Sequence, residues 1–514
     1  MGKSKEEPIP IRRLRWSGDL PKPRSGDVPW AKKRSELADL SEADQALLVR
    51  DTDAWREVML PVCREIDAER SSRGIKYAYT SEELELVLLF GRACGHTTYK
   101  KTRATLAGDD PEPRKTLGFD KPRLAATQPR RVNPIRRLDG VPSASTISRH
   151  KKRFSDERRA EIWTEIERRL RIEHLQTPEL QEEARLLNLD GSDVLTHYNA
   201  ELTSKRKGDK PEPAKMIDGV LYQRVSGHRQ KITCLDGGFR GADSRGTGHP
   251  AGHGWNLMMI SSCSGVPIAW RLVPIHYSEK DTALDLVQNE YASEAAPYLR
   301  GQLRVLSADG AFQKPALRAA LREYGIVENI HAVSHAERSK GHAQDWGSRW
   351  RSINKYPNWE ANYHREIRCR CDLHKGVSKR IYLNGEGRAI ARSEGKCPNC
   401  GSISIRSGDW RLSNGNHFTH CSPDELTSSR DWAFGNPLTF NDPNSQAYGH
   451  ARFGHNEGLH GTLSNRFALI RNKRWFRKLA QAQTETAMTF ALIQALALEQ
   501  RRRAKEPVAL AAAA

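Results

Sequence analysis

Leu186-Leu-Asn-Leu-Asp-Gly-Ser-Asp193 and Val305-Leu-Ser-Ala-Asp-Gly-Ala311 share one pattern, a short apolar run that ends on an aspartate followed by glycine. Such runs, bounded by turn formers, predict buried strands. Each strand is expected to deliver its carboxylate, Asp190 or Asp309, to the rim of a sheet. The glycine would let the backbone turn sharply there and leave the carboxylate open to a bound ion. One Asp-Gly alone is an ordinary turn signal. Two of them in a basic chain make a pair of carboxylates that can share Mg²⁺.

Around these two segments the texture is α/β: short apolar runs joined by amphipathic stretches. Further strands are predicted near Leu257–Ser261, Pro267–Ile275 and Ile326–Ile330, with helices near Lys280–Tyr291 and Lys314–Tyr324. The stretch from Thr203 to Pro250 is polar and rich in Gly and Lys, which suits an extended hairpin or loop. The chain contains no internal repeat. With 514 residues it is too long for one hydrophobic core and predicts two or three domains.

Upstream, residues 1–40 are rich in Pro, Gly, Lys and Arg, without apolar period, and read as a basic arm. Helical spacing follows over Ser41–Arg70 and Ser81–Gly95, with Ser81 as the expected N-cap and Gly95 as the stop. Thr105–Arg137 carries five prolines and the pairs Arg130, Arg131 and Arg136, Arg137, and reads as a loop that lies along DNA. In Val141–Phe154 a proline and a serine cap precede Arg149, Lys151, Lys152 and Arg153. A capped helix with that charge suits phosphate contact in a helix-turn-helix-like reader; on most proteins such a charge run is simply a solvated face.

Lys and Arg number 83 against 63 Asp and Glu, giving a formal charge of +20. That balance favours a polyanionic partner, with double-stranded DNA the leading one. Met1–Arg13 is polar throughout, and the longest apolar run, Met488–Leu498, is shorter than the ~20 residues a bilayer span needs. A cytoplasmic, nucleoid-associated protein with no membrane role is the expectation. Of nine cysteines, Cys369, Cys371, Cys397 and Cys400 form two close pairs and predict one tetrahedral structural Zn²⁺ site, with His374, His420 or Cys421 as alternative ligands. Cys63, Cys94, Cys234 and Cys263 sit in apolar contexts that suit core residues.

A third acid, Glu457, lies in Arg452-Phe-Gly-His-Asn-Glu-Gly-Leu-His460, ahead of a long Ala/Leu-rich helical stretch that it is expected to open. Two Asp-Gly strand ends followed by such a glutamate resemble the bacterial insertion-sequence DDE transposases. The Ser81-Glu-Glu-Leu84 helix, Leu117-Gly-Phe119 and Pro142-Ser-Ala-Ser-Thr-Ile-Ser148 are similar to the DNA-binding head of those enzymes. The resemblance implies an RNase H-like mixed sheet flanked by helices, and Asp190, Asp309 and Glu457 as an acidic triad holding two Mg²⁺ ions, with Mn²⁺ as a substitute. It also implies a homodimer acting on transposon ends and target DNA. Tyr448 and Arg452 stand at altered spacing from Glu457, and Ser464 occupies the place of the family's lysine.

On this reading residues 41–160 are a helical DNA-binding region and 161–334 the first part of the catalytic core. Residues 335–432 form a small zinc-binding insertion and 433–514 return to the core with C-terminal helices. The competing readings are a metal-dependent nuclease of the same fold and a domesticated, non-catalytic DNA-binding protein. A zinc hydrolase is disfavoured, because the sequence holds no His-Glu-x-x-His and a four-cysteine site is closed. Asp193 is a candidate spare acid, and Glu425, Asp431 and Asp442 are the alternatives to Glu457.

Overall fold

The computed structural model describes residues 21, 40–72, 78–121, 123–124, 136–137, 140–196, 215–217, 220–225, 228–231, 236–240, 252–299, 302–309, 312, 315–330, 447–448, 459–470, 476 and 478–513. The backbone of short strands between 359 and 412 is described as well. The chain divides into two compact units: Met1–Gly26, Glu182–Asp190 and Glu279–Gly454 in one, Asp27–Gln181, Gly191–Ser278 and His455–Ala514 in the other.

The first unit contains β10 (Arg304–Ala308), which pairs in parallel with β11 (Ile326–Ile330) on one side and with the start of β3 (Leu186–Leu195) on the other. Every residue of β10 and β11 is buried, the polar Arg304, Ser307, Glu328 and Asn329 included. Before β10 comes α9 (Glu279–Leu286), which runs into a π-helical stretch, Val287–Ala295. Between β10 and β11 lies α10 (Pro315–Glu323), ended by Gly325 at φ +68°. Within 359–412 the backbone forms two antiparallel groups: β12 (Trp359–Ala361), β13 (Glu366–Cys369), β14 (Lys379–Leu383) and β15 (Ala389–Ala391) in one, and β16 (Gly395–Cys397), β17 (Gly401–Arg406) and β18 (Asp409–Leu412) in the other.

In the second unit, β8 (Gly252–Ser262) and β9 (Pro267–Pro274) form an antiparallel hairpin, and the short β7 (Gly238–Arg240) pairs with β8. The ladder of the whole sheet runs β11-β10-β3-β8-β7 with β9 on β8, so the sheet is mixed. Lys215–Ile217, Val220–Val225 and His228–Lys231 form β4, β5 and β6, a separate antiparallel group in the polar stretch read as an extended hairpin or loop.

Two long helices cover β9: α7 (Asp156–Leu175), followed in the chain by the short α8 (Pro178–Glu183), and α11 (Leu479–Ala513). Trp270 of β9 packs edge-on against Phe490 of α11 at 5.6 Å and donates from its indole to Glu167 of α7 at 3.0 Å. Gln494 of α11 donates to the Pro267 carbonyl at 2.7 Å and accepts from His174 Nδ1 of α7 at 2.6 Å. Burial holds that imidazole well below its usual pKa, at about 3, so it is neutral and Nδ1 carries the proton. No helix among the described residues is long and apolar enough to cross a membrane.

The helices of residues 42–151 belong to the second unit: α1 (Glu42–Arg50), a π-helical stretch, Trp55–Met59, continuing into α2 (Leu60–Ser72), α3 (Ser81–Ala93), α4 (Tyr99–Leu106), α5 (Glu112–Thr116) and α6 (Ala144–Lys151). The expected Ser81 cap moves back one residue. Thr80 caps α3 in a reciprocal box with Glu83, because Ser81 is bound instead by Asp67, whose carboxylate accepts its hydroxyl at 2.7 Å. Gly95 does end that helix, at φ +66°. Among its described residues the proline-rich stretch holds α5, and β1 (Arg123–Leu124) pairs with β2 (Arg136–Arg137).

Candidate active site

Asp190 and Asp309 come from neighbouring parallel strands. The ladder pairs Val305 with Leu186, Leu306 with Leu187, Ser307 with Asn188 and Ala308 with Leu189, so the next residues on the two strands are the two aspartates. Partners in a ladder share a face of the sheet and lie about 4.8 Å apart. Both carboxylate-bearing residues are half-buried, whereas Leu189 and Ala308 just before them are buried.

Two expectations about these acids need correction. Asp190 does not end its strand, since β3 continues through Gly191 to Leu195; what ends at Leu189 is the pairing with β10. Nor does Gly191 serve a turn. A Cβ there would come 3.0 Å from Asn256 Oδ1 and 3.1 Å from Met258 Cε, so the glycine permits close packing against β8. Asp309 directly follows the last residue of β10, at the strand end, as expected.

The same face carries a second row, two residues earlier, which the sequence reading missed. Asn188, Ser307 and Asn329 stand side by side on β3, β10 and β11, each only 4% exposed. Asn329 Nδ2 donates to Ser307 Oγ at 3.2 Å, while Asn188 Nδ2 has no hydrogen-bond partner among the described residues. Buried amides and hydroxyls are costly unless they are hydrogen-bonded. A signal was present: Asn-Leu-Asp and Ser-Ala-Asp repeat a polar residue two positions before each acid, the spacing that keeps one face of a strand.

In the second unit Ser192, two residues along β3 from Asp190, is hydrogen-bonded to His460 Nδ1 at 3.1 Å, with both side chains buried. His460 belongs to a short helical segment, 459–466, whose last part is the π turn Thr462–Arg466. That segment is separate from α11, which starts only at Leu479, so the expected single helix running on past Phe476 is two helices. Between them Ala468 takes φ +47°. Glu457 lies outside the described residues, as do Glu425, Asp431 and Asp442. Cys371, Cys400, His374, His420, Cys421 and Cys234 lie outside them too, while Cys369 and Cys397 fall in β13 (Glu366–Cys369) and β16 (Gly395–Cys397), described by backbone alone. Cys63 and Cys263 are buried, and Cys94 is half-buried.

The donor set fits a hard divalent cation: two carboxylates side by side, partly open, above a buried polar row. Among the described residues no group of three or more His, Cys, Asp or Glu gathers to hold a metal. Asp193 falls on the opposite face of β3 from Asp190, since strand side chains alternate, and is not part of this row.

The basic residues divide. Ser143 caps α6 by accepting from Thr146 N, but Arg149 and Lys151 lie in its last turn and Lys152 and Arg153 follow it. The eight-residue helix is about 12 Å long, so its N-terminal amides and its cations would meet different phosphates. Arg149, Lys152 and Arg153 are exposed, and Lys151 is half-buried. Arg136 and Arg137 form β2, and Arg130 and Arg131 lie outside the described residues.

α6 is fixed to its neighbours by a buried acid. Glu85 of α3, fully buried, accepts from Arg159 of α7 and bonds His150 Nε2 of α6 at 2.8 Å. Burial raises its pKa, but Arg159 and His150 more than offset this and hold it at about 2. No protein-family model, curated protein or solved structure matches the chain.

Proposed function

We propose that this protein is a DDE-type DNA transposase that cuts and joins transposon-end DNA by metal-assisted phosphodiester transfer. The observation that carries the reading is the register of β3 and β10, which sets Asp190 and Asp309 each one residue past the last paired residues, Leu189 and Ala308, of two adjacent parallel strands. The strand order supports an RNase H-like core. An antiparallel hairpin adjoins a central strand, and on that strand's other side two parallel strands follow, each preceded by a helical crossover.

Asp190 and Asp309 would hold two Mg²⁺ ions, or Mn²⁺ in their place, and the ions would neutralise charge on the attacking and leaving oxygens. Asn188, Ser307 and Asn329 form a buried polar row on the face that carries the acids, two residues earlier in their strands, and the Asn329–Ser307 bond joins β11 to β10. Glu457 is the proposed third ligand by resemblance. In sequence it lies three residues before His460, and His460 is bonded to Ser192 of β3. Water attack would free a 3′-OH at the element's end, and that hydroxyl would attack the target strand.

Double-stranded DNA is the proposed partner, held by Arg149, Lys151, Lys152 and Arg153 together with Arg130, Arg131, Arg136 and Arg137, in a homodimer. The zinc site of Cys369, Cys371, Cys397 and Cys400 is proposed as a structural centre, and the compartment as the bacterial cytoplasm. Incubation with terminal DNA of the element and Mg²⁺, followed by mapping of the cut strand and any joined product, tests the reading. Nicks leaving a 3′-OH at the element's end and joined to target support it. Cutting without joining favours the nuclease, and DNA binding without cutting favours the non-catalytic protein.

A further inference from the structure

A cavity of about 590 Å³ opens within the second unit, between α3, α4, α6 and the N-terminal part of α11. Its volume falls in the ~300–1,000 Å³ range of small-molecule sites. Arg92 forms part of its wall and is 1% exposed. Its Nη2 donates to the His96 carbonyl at 3.2 Å, its Nη1 is ion-paired with Glu485 Oε2 at 3.1 Å, and its Nε has no hydrogen-bond acceptor among the described residues. A buried guanidinium with a donor left over can take a further acceptor.

Three further features point the same way. Residues 97–100, at the start of α4, line the cavity. Thr98 caps Lys101 N, and the first-turn amides of Tyr99 and Lys100 have no acceptor within the helix. That turn contains Lys100 and Lys101 and no acid. Lys151 of α6 also lines the cavity, with its ammonium 5.9 Å from the centre of the Tyr99 ring. Arg92, Lys100 and Lys151 thus outnumber Glu485, and Arg159 in the same wall is already neutralised by Glu85. Tyr99 and Phe476 supply an aromatic surface beside these charges.

We propose that this cavity binds the phosphate group of a nucleotide, with Arg92 and the start of α4 as donors, Lys151 as counter-charge, and Tyr99 and Phe476 against the attached sugar and base. The cavity's chemistry itself selects a phosphate; the choice of a nucleotide unit as its carrier rests on the DNA-transposase reading. Glu485 is then a competing carboxylate that holds Arg92 in place when the cavity is empty.

The test is calorimetric titration of the full chain, in EDTA, with deoxyadenosine monophosphate, inorganic phosphate and deoxyadenosine. Saturable binding is expected for the monophosphate, weaker binding for phosphate and none for the nucleoside. Arg92→Gln should weaken the monophosphate by about tenfold or more, and Glu485→Gln, which removes the competing charge, should tighten it severalfold. Lys151→Gln, at a half-buried position, provides the loss-of-charge arm even if the Arg92 variant fails to fold. Absence of saturable binding, or an affinity unmoved by both Glu485→Gln and Lys151→Gln, overturns the proposal. Inorganic phosphate binding as tightly as the monophosphate overturns its nucleotide part. Strand cleavage is scored separately on the same protein: cleavage without nucleotide binding removes this site and leaves the transposase reading, and binding without cleavage does the reverse.

Discussion

Replacing Glu85 by glutamine removes the charge that joins α3, α6 and α7 while keeping the side chain's shape. Its carboxylate is fully buried between His150 and Arg159, and Arg159 is itself 3% exposed. The native pKa of about 2, against an ordinary 4.5, corresponds to about 3 kcal/mol at roughly 1.4 kcal/mol per pH unit. The cost of stranding one partner of a buried ion pair, ~3–5 kcal/mol, agrees. Because the folded value is depressed, this stabilisation is complete above the unfolded value and lost as pH falls through the folded one. The gap between wild type and variant should therefore be constant above about pH 5, roughly halve by pH 3 and close near pH 2. Urea unfolding read by hydrogen-exchange protection of residues 81–93 measures it locally. A gap under about 1 kcal/mol at neutral pH, or one equally large at pH 3, would refute the reasoning.

Gly191→Ala should destabilise the protein by about 1–3 kcal/mol, because the new methyl meets Asn256 and Met258 at about 3 Å; thermal unfolding within error of wild type would show that β8 yields freely. Neutralising Arg149, Lys152 and Arg153 together should lower the salt dependence of DNA binding by up to about three phosphate contacts, read as the slope of log affinity against log salt, whereas an unchanged slope would place the DNA elsewhere. Elemental analysis of the purified chain should find one zinc per chain, lost when Cys397 and Cys400 are both changed to serine; a zinc-free wild type contradicts the cysteine assignment.

Much of the fold was legible because buried strands announce themselves. The runs at Leu186, Leu257, Pro267, Val305 and Ile326 all lie in observed strands, and the stretches near Lys280 and Lys314 became helices. Boundaries were less legible. Asp-Gly reads as a turn, yet at Asp190 a neighbouring strand pairs on past the acid and the glycine is needed for packing, a tertiary demand that local propensity does not carry. The continuous C-terminal helix failed for a similar reason. Helical periodicity does not reveal that Asp236, distant in sequence, caps a fresh start by accepting from Leu479 N at 2.7 Å. The polar row of Asn188, Ser307 and Asn329 has a period-two signature, but its meaning depends on the register of three strands.

The central claim, that Asp190 and Asp309 hold catalytic metal together, is tested most directly by manganese binding to the full chain, followed by electron paramagnetic resonance, in wild type, Asp190→Asn and Asp309→Asn. The account predicts a bound-manganese signal in wild type, loss of tight binding in each variant, and loss of DNA strand cleavage in both with DNA affinity retained. Variants that bind manganese like wild type and still cleave would contradict it.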